Sequence, residues 1–371
     1  MRNRYLSLLL LLLPMWGCTR VVCEDPDATS QESFCDSVCL YRPGDYGSAN
    51  WRIPAILCLD DGTLLAVNDK RKYNETDLPE DIDVVCRRSF DRGQTWSEPQ
   101  TIIEGQGHGM GYGDPALVQC ANGDVLCLFA GHNGYFQSTA AEPICVYMCR
   151  STDRGLTWGD TVNLTSVLWD ASSSYHAAFV ASGNGLRLSR GTHAGRVLFA
   201  AAVLRKGQNV SDNYVIYSDD NGHTWQRSER AYAAGDEAKL MELTDGSVLI
   251  SVRRTGARGY NRSADSGVTW GTQGTWTEMS VNACNGEMLR VDDTTILHSV
   301  PNSMQRENVS IYTSNDEGAS WHSPVLVCDG PSVYSSMTLL DDGTIGFYAE
   351  KNPSGACELW YYHFNREWLH R

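Results

Sequence analysis

Three residue patterns in this 371-residue chain invite a chemical reading. The first is thiols. Cys145 and Cys149 stand four apart, but no second Cys or His pair nearby completes a zinc site, so no metal is expected. Cys58, Cys86, Cys120 and Cys127 lie in apolar, strand-like runs and read as small buried hydrophobes. Cys23, Cys35 and Cys39 fall in a polar N-terminal stretch. The second pattern is an aspartate recurring in S-x-D-x-G-x-[TS]-W. It occurs at SFDRGQTW from Ser89, STDRGLTW from Ser151, SDDNGHTW from Ser218, SADSGVTW from Ser263 and SNDEGASW from Ser314. Such an Asp can accept backbone N–H bonds in a tight turn, and the Gly can take positive φ at little cost. The Trp can then anchor the returning strand. That is turn chemistry, not catalysis. The third pattern is arginine. The chain carries 30 Lys+Arg against 45 Asp+Glu, a formal charge of −15. No broad basic field exists to hold nucleic acid, so an anionic ligand would need a local cluster of arginines.

The elements that must position such groups are strands. The eight-residue motif recurs at intervals of 62, 67, 45 and 51 residues, the regime of propeller blades that need neighbours to bury their faces. Between the motifs, apolar β-rich arms flank Asp-Gly or Asn-Gly at 55–67, 116–129, 239–252 and 337–348. This is a strong hairpin signal. Long amphipathic helices are absent. At the N-terminus, Arg2 and Arg4 precede the apolar run Leu8 to Leu13, too short to span a bilayer. Residues 1–17 read as an export signal. Gly17 before Cys18 offers a lipoprotein cleavage site, although Met15 fits it poorly. Residues 18–45 read as a leader and 46–371 as one all-β domain.

The five repeats resemble the Asp boxes of bacterial-type exo-α-sialidases, the neuraminidase family with BNR repeats. The resemblance runs from about Tyr46 to the C-terminus. Rarer segments carry it: WRIP at 51–54, KRKYNETDLPEDID at 70–83, GDPAL at 113–117, GDEAKLMEL at 235–243, VLISVRR at 248–254, QREN at 305–308 and VYSSMTLLDDG at 333–343. It implies a six-bladed β-propeller of four-stranded antiparallel blades, with the catalytic residues at the end opposite the Asp boxes. The strand near Arg52 and the segment near Trp360 would share the closing blade.

The resemblance also implies roles. Arg52, Arg253 and Arg306 match the three arginines that hold the substrate carboxylate, since planar guanidinium pairs with carboxylate as lysine cannot. Arg254 keeps the second assignment open by one residue. Tyr334 matches the nucleophile; sialidases are an exception to the usual two-carboxylate glycosidase scheme. Glu237 matches the glutamate that takes the phenol proton. Asp77 fits the general acid best, with Asp69, Asp81 and Asp83 as near alternatives. Arg71 resembles an arginine that contacts substrate or steadies the Asp77 loop. Glu350 resembles the glutamate orienting the first arginine, and Asp114 would line the sugar pocket. No cofactor is required.

The implied activity is hydrolysis of terminal sialic acid from glycoproteins, glycolipids and oligosaccharides, with retention through a sialyl-tyrosine. A trans-sialidase, an intramolecular trans-sialidase and a non-catalytic Asp-box propeller are the alternatives. The expected partners are sialylated glycans, with a membrane tether only through a lipid on Cys18. A monomer is expected. The location would be periplasmic, outer-membrane-anchored or secreted, from a bacterium. N-x-S/T occurs at Asn74, Asn163, Asn209, Asn261 and Asn308, and glycans at Asn74 or Asn308 would crowd the site, so the chain is expected to be unglycosylated.

Overall fold

The computed structural model describes residues 32–170, 172–281, 283–352 and 356–370. The expected export signal and Cys18 lie outside the described residues. Among the described residues the regular structure is almost wholly strand, with one α-helical turn at Thr165–Leu168 and short 3-10 turns at Asp45–Gly47 and Arg366–His370.

Short apolar, β-branched and aromatic runs make these strands because a pleated backbone presents side chains to both faces. Here both faces are covered. Leu64–Arg71, for example, is buried at seven of its eight positions. One sheet runs Asn50–Cys58, Leu64–Arg71, Ile82–Ser89, Gln100–Ile103. A second orders Gly111–Gln119, Val125–His132, Ile144–Ser151 and Val162–Asn163, with Gly183–Asn184 added in parallel. A third is built on Tyr175–Val180, Val197–Arg205, Ser211–Ser218 and Gln226–Arg227. A fourth contains Ala238–Glu242, Val248–Val252, Gly256–Ser263 and Gly274–Val281.

The last sheet has seven strands. Its long strand His322–Leu339 pairs with Glu307–Ser314 up to Pro331, then with Ile345–Lys351 from Ser332 onward. The strand completing this sheet differs from the expectation. Cys35–Tyr41, within the stretch read as a leader, pairs antiparallel with Glu358–Phe364, which contains Trp360. The strand holding Arg52 instead begins the Asn50–Ser89 sheet, because its neighbour is fixed by its own Asp-Gly hairpin.

Hydrophobic clusters lie between sheets. Val67, Val84 and Leu117 share one cluster with Phe129; Leu126 and Met148 share another with Phe199 and Ile216. Leu198 and Val215 pack with Val248 and Ile250, and Leu249 and Trp276 with Ile296 and Tyr312. Leu297 and Ile311 pack with Phe347 and Phe364. Tyr348 and Tyr361 pack with Ile56 and Leu64.

The five repeated motifs form one kind of turn. In the first, Ser89 Oγ accepts from Gly93 N at 2.8 Å, and Asp91 accepts from Thr95 N at 2.9 Å and Thr95 Oγ1 at 2.6 Å. Asp153, Asp220, Asp265 and Asp316 repeat these bonds. Gly93 sits at φ 85°, where a Cβ would collide with the Tyr361 ring. Trp321 is fully buried, whereas Trp96, Trp158, Trp225 and Trp270 are half-buried against the inter-sheet clusters. Register places these turns. Ser89 lies opposite Leu64 while Ile82 lies opposite Arg71, so the motif is at one end of the sheet and Arg71 at the other.

Candidate active site

The end opposite the repeated turns opens into a cavity of about 310 Å³. Its charged wall comes from starts of first strands, ends of second strands and the connections beyond them. Arg52 begins the Asn50–Cys58 strand, and Glu350 lies near the end of Ile345–Lys351. Glu350 is fully buried. It accepts from Arg52 Nε at 3.2 Å and Nη2 at 3.3 Å, from Ile53 N at 2.7 Å and from Tyr334 N at 3.3 Å. Ile53 holds φ 60° just before Pro54, a strained conformation for a β-branched residue. The register shifts between Arg52 and Ala55, and this bulge turns Arg52 toward the cavity.

Glu237 and Arg253 lie just outside Ala238–Glu242 and Val248–Val252, and Arg253 N still donates to Glu237 O at 2.8 Å. Their side chains meet: Arg253 Nη1 bonds Glu237 Oε2 and, at 2.8 Å, the Tyr334 hydroxyl. Tyr334 Oη donates to Glu237 Oε2 at 2.6 Å. Arg254 turns away to the Tyr232 hydroxyl at 3.1 Å, and Arg253 is the one of the pair that lines this cavity. The guanidinium carbons of Arg52 and Arg306 lie 5.4 and 5.8 Å from the Tyr334 ring centroid. Three guanidinium groups therefore surround one phenol. Burial first, then the Glu237 charge, push the Tyr334 phenol well above its ordinary range, against the pull of Arg253 and Arg52. It cannot ionise unaided near neutral pH.

Asp77 sits on an exposed loop at the cavity edge. Arg71 Nη2 contacts its Oδ1 at 2.7 Å, and Arg52 Nη1 lies 3.6 Å from the same atom. Burial against the wall opposes ionisation, but Arg71 and Arg52 prevail and hold the carboxyl below the usual range. Asp114 lines the cavity from a second bulge at φ 58°, between Gly113 and Pro115. Burial, then Asp69, raise its carboxyl well above the usual range. Arg71 and Glu350 stand behind the lining. Asp81 and Asp83 face Lys72.

Other parts of the wall have no signal in the linear sequence. Asp236 lies 3.3 Å from Arg253 Nε; its place beside Glu237 was the one available hint. Leu78, Tyr135, Phe136, Ile144 and Phe179 form an apolar side, and their spacing gives no cue because they come from three segments. Among the described residues no His, Cys, Asp and Glu cluster could hold a metal ion, and the cysteines from Cys39 to Cys357 form no disulfide.

Solved structures share this scaffold. A Hadza microbial sialidase superposes with TM-score 0.80 at 26% identity, covering 89% of this chain and 68% of that one. The intramolecular trans-sialidase of Ruminococcus gnavus has the same fold at 19% identity, TM-score 0.78, covering 87% and 96%. The all-β architecture is thus of the propeller type found in sialidases. Residues 62–347 match the family described as BNR repeat-like domain. A sialidase of Micromonospora viridifaciens is 30% identical over 353 residues, 88% of this chain and 53% of that protein. One from Bacteroides fragilis is 27% identical, covering 83% and 61%. The chain belongs to the sialidase family with BNR repeats. It spans about half the length of the Micromonospora relative and about three fifths of the Bacteroides one.

Proposed function

We propose that the chain is an exo-α-sialidase that hydrolyses terminal sialic acid from glycoconjugates with retention of configuration. One observation carries the reading: the Tyr334 hydroxyl contacts both Glu237 and Arg253 beneath a ring flanked by Arg52 and Arg306. Tyrosine suits this substrate. The anomeric carbon bears a carboxylate, which would repel an approaching Asp or Glu but not a neutral phenol.

Arg52, Arg253 and Arg306 hold the sialic carboxylate in charge-assisted hydrogen bonds. Tyr334 Oη attacks the anomeric carbon as its proton passes to Glu237, which is already within hydrogen-bond reach. The bond to the aglycone oxygen breaks, and Asp77 delivers its proton there. Water then gives a proton to Asp77 and attacks the same carbon; the tyrosyl bond breaks and Glu237 returns the phenol proton. Glu350 orients Arg52, Arg71 steadies the Asp77 loop and Asp114 flanks the sugar. The steps need no cofactor.

The scaffold is read as six four-stranded blades. The inter-sheet clusters support this, since they link each sheet to the next and the last back to the first. The seven-stranded sheet is then two blades joined through the long strand His322–Leu339. Export belongs to the same proposal and rests on the N-terminal signal pattern.

The test is release of sialic acid from an aryl sialoside, with the product anomer followed by NMR. Wild type should release the α-anomer first, and Tyr334→Phe should lose at least about a thousandfold in kcat while staying folded. Wild-type-like turnover by Tyr334→Phe would remove Tyr334 from the nucleophile role. An anhydro product or transfer to lactose would move the activity to a trans-sialidase, and glycan binding without turnover would leave a lectin-like propeller.

A further inference from the structure

We infer that Asp69, which lies outside the cavity, is a positioning residue for the acid step: through Arg71 it sets how firmly Asp77 holds its proton. This rests on the sialidase reading above. Asp69 is 1% exposed and sits opposite Arg52 in the strand register. Its Oδ2 accepts from Arg71 Nη2 at 3.0 Å and Nε at 3.3 Å. The same Nη2 reaches Asp77 at 2.7 Å, while Arg71 Nη1 bonds the carbonyl of Glu75, two residues before Asp77. One guanidinium therefore has its Nε–Nη2 edge against Asp69 and its two terminal nitrogens on the loop carrying the acid.

The other oxygen ties down a second cavity residue. Asp69 Oδ1 accepts from the Asp114 backbone N–H at 3.0 Å, at the bulge that holds Asp114 at φ 58°. The fit leaves no spare room, because a Cβ on Gly113 would lie 3.0 Å from Asp69 Oδ2. Asp69 thus fixes both Arg71 and Asp114 without touching substrate.

The electrostatic consequence has a definite sign. Asp77 faces Arg71, Arg52 and Arg306, all of which favour its carboxylate. Asp69 faces Arg71, Asp114 and Asp77, and Asp114 also faces Glu237. A negative Asp69 offsets part of the Arg71 charge and repels the Asp77 carboxylate. Both effects keep a proton on Asp77 to higher pH. Burial lifts Asp69 itself to about 6, so its charge acts on Asp77 once the bound sialic carboxylate has offset the pull of Arg52 and Arg306 and moved the Asp77 titration above that value.

Asp69→Asn keeps the shape and removes the charge. Its alkaline limb of kcat should move to lower pH by about half a unit or more. Turnover of an alkyl sialoside such as sialyllactose, which needs the proton, should fall about tenfold more than that of an aryl sialoside. Equal losses on both substrates with an unmoved limb would make Asp69 merely structural and overturn the inference. If thermal unfolding shows that Asp69→Asn does not fold, Arg71→Lys breaks the same chain, since one ammonium cannot span both carboxylates. An unchanged alkyl-to-aryl ratio in Arg71→Lys would equally overturn it. A different failure marks the parent reading: wild type inactive on both sialosides, or Asp77→Asn with a wild-type ratio, sinks the acid assignment itself.

Discussion

Glu350 shows how much one side chain can organise. Its two oxygens fix the Arg52 guanidinium, the strained Ile53 amide and the Tyr334 amide together. Glu350→Gln would remove the buried charge that pairs with Arg52, leaving it only the looser contact with Asp77 at 3.6 Å. That should lower stability by about 2–5 kcal/mol and raise KM about tenfold, as Arg52 loses its orientation. Denaturant titration and steady-state kinetics on one preparation check both, and an unchanged KM would show that Arg52 needs no such support. Residues of this kind were legible because their motifs are rare. Arg253 and Arg254 were not separable in the sequence, since strand alternation gives them opposite faces but does not say which face is inward. Asp69 could be weighed only as a rival acid, because its role lies in a side-chain contact to Arg71 that the linear order does not encode.

At the scale of the element, the repeated turn is a hydrogen-bonded clasp independent of the chemistry at the far end of the sheets. Ser218 is buried, and its Oγ accepts from Gly222 N at 2.8 Å while donating to Asp220 at 2.7 Å. Ser218→Ala leaves a buried N–H unsatisfied, so stability should drop by about 1–3 kcal/mol. Turnover per folded molecule should stay at the wild-type value. A matched loss of activity in folded variant would contradict the separation of the two ends. The hairpins at 55–67, 116–129, 239–252 and 337–348 were readable from Asp-Gly and Asn-Gly, and all four form. The strand Cys35–Tyr41 was missed for a physical reason. Asp36 to Val38 are exposed and only Leu40 and Tyr41 are buried, so no alternation marks it, and only its distant partner makes it a strand.

Across the whole molecule, acid and base act against each other on stability. The five turn aspartates and Asp77 have carboxyls held below the usual range, at the turns by hydrogen bonds from Thr or Ser that outweigh burial. Their stabilisation is complete above a pH of about 4 and is lost as pH falls through the lowered values. Asp69, lifted to about 6 by burial, acts in the other direction. The native state keeps its proton longer than the unfolded chain does, so that contribution fades as pH rises from about 4 to 6. Calorimetry should find a steep fall in Tm below about pH 4 and a gentler decline as pH rises from about 4 to 6. Asp69→Asn should flatten only the second. The chain's charge of −15 gives no long-range attraction to an anionic sugar, so capture depends on the arginines within the cavity.

The pairing of Cys35–Tyr41 with Glu358–Phe364 also orders events in time. Phe34 and Asn365, joined by a hydrogen bond, are 331 residues apart. During synthesis the early strand must wait, unpaired, until Glu358–Phe364 has emerged. The earlier hairpins can form as they appear, but the last sheet completes only once Glu358–Phe364 has emerged. Until then Cys35–Tyr41 is a strand without its partner, and that interval is when a nascent molecule is most exposed to pairing with another copy.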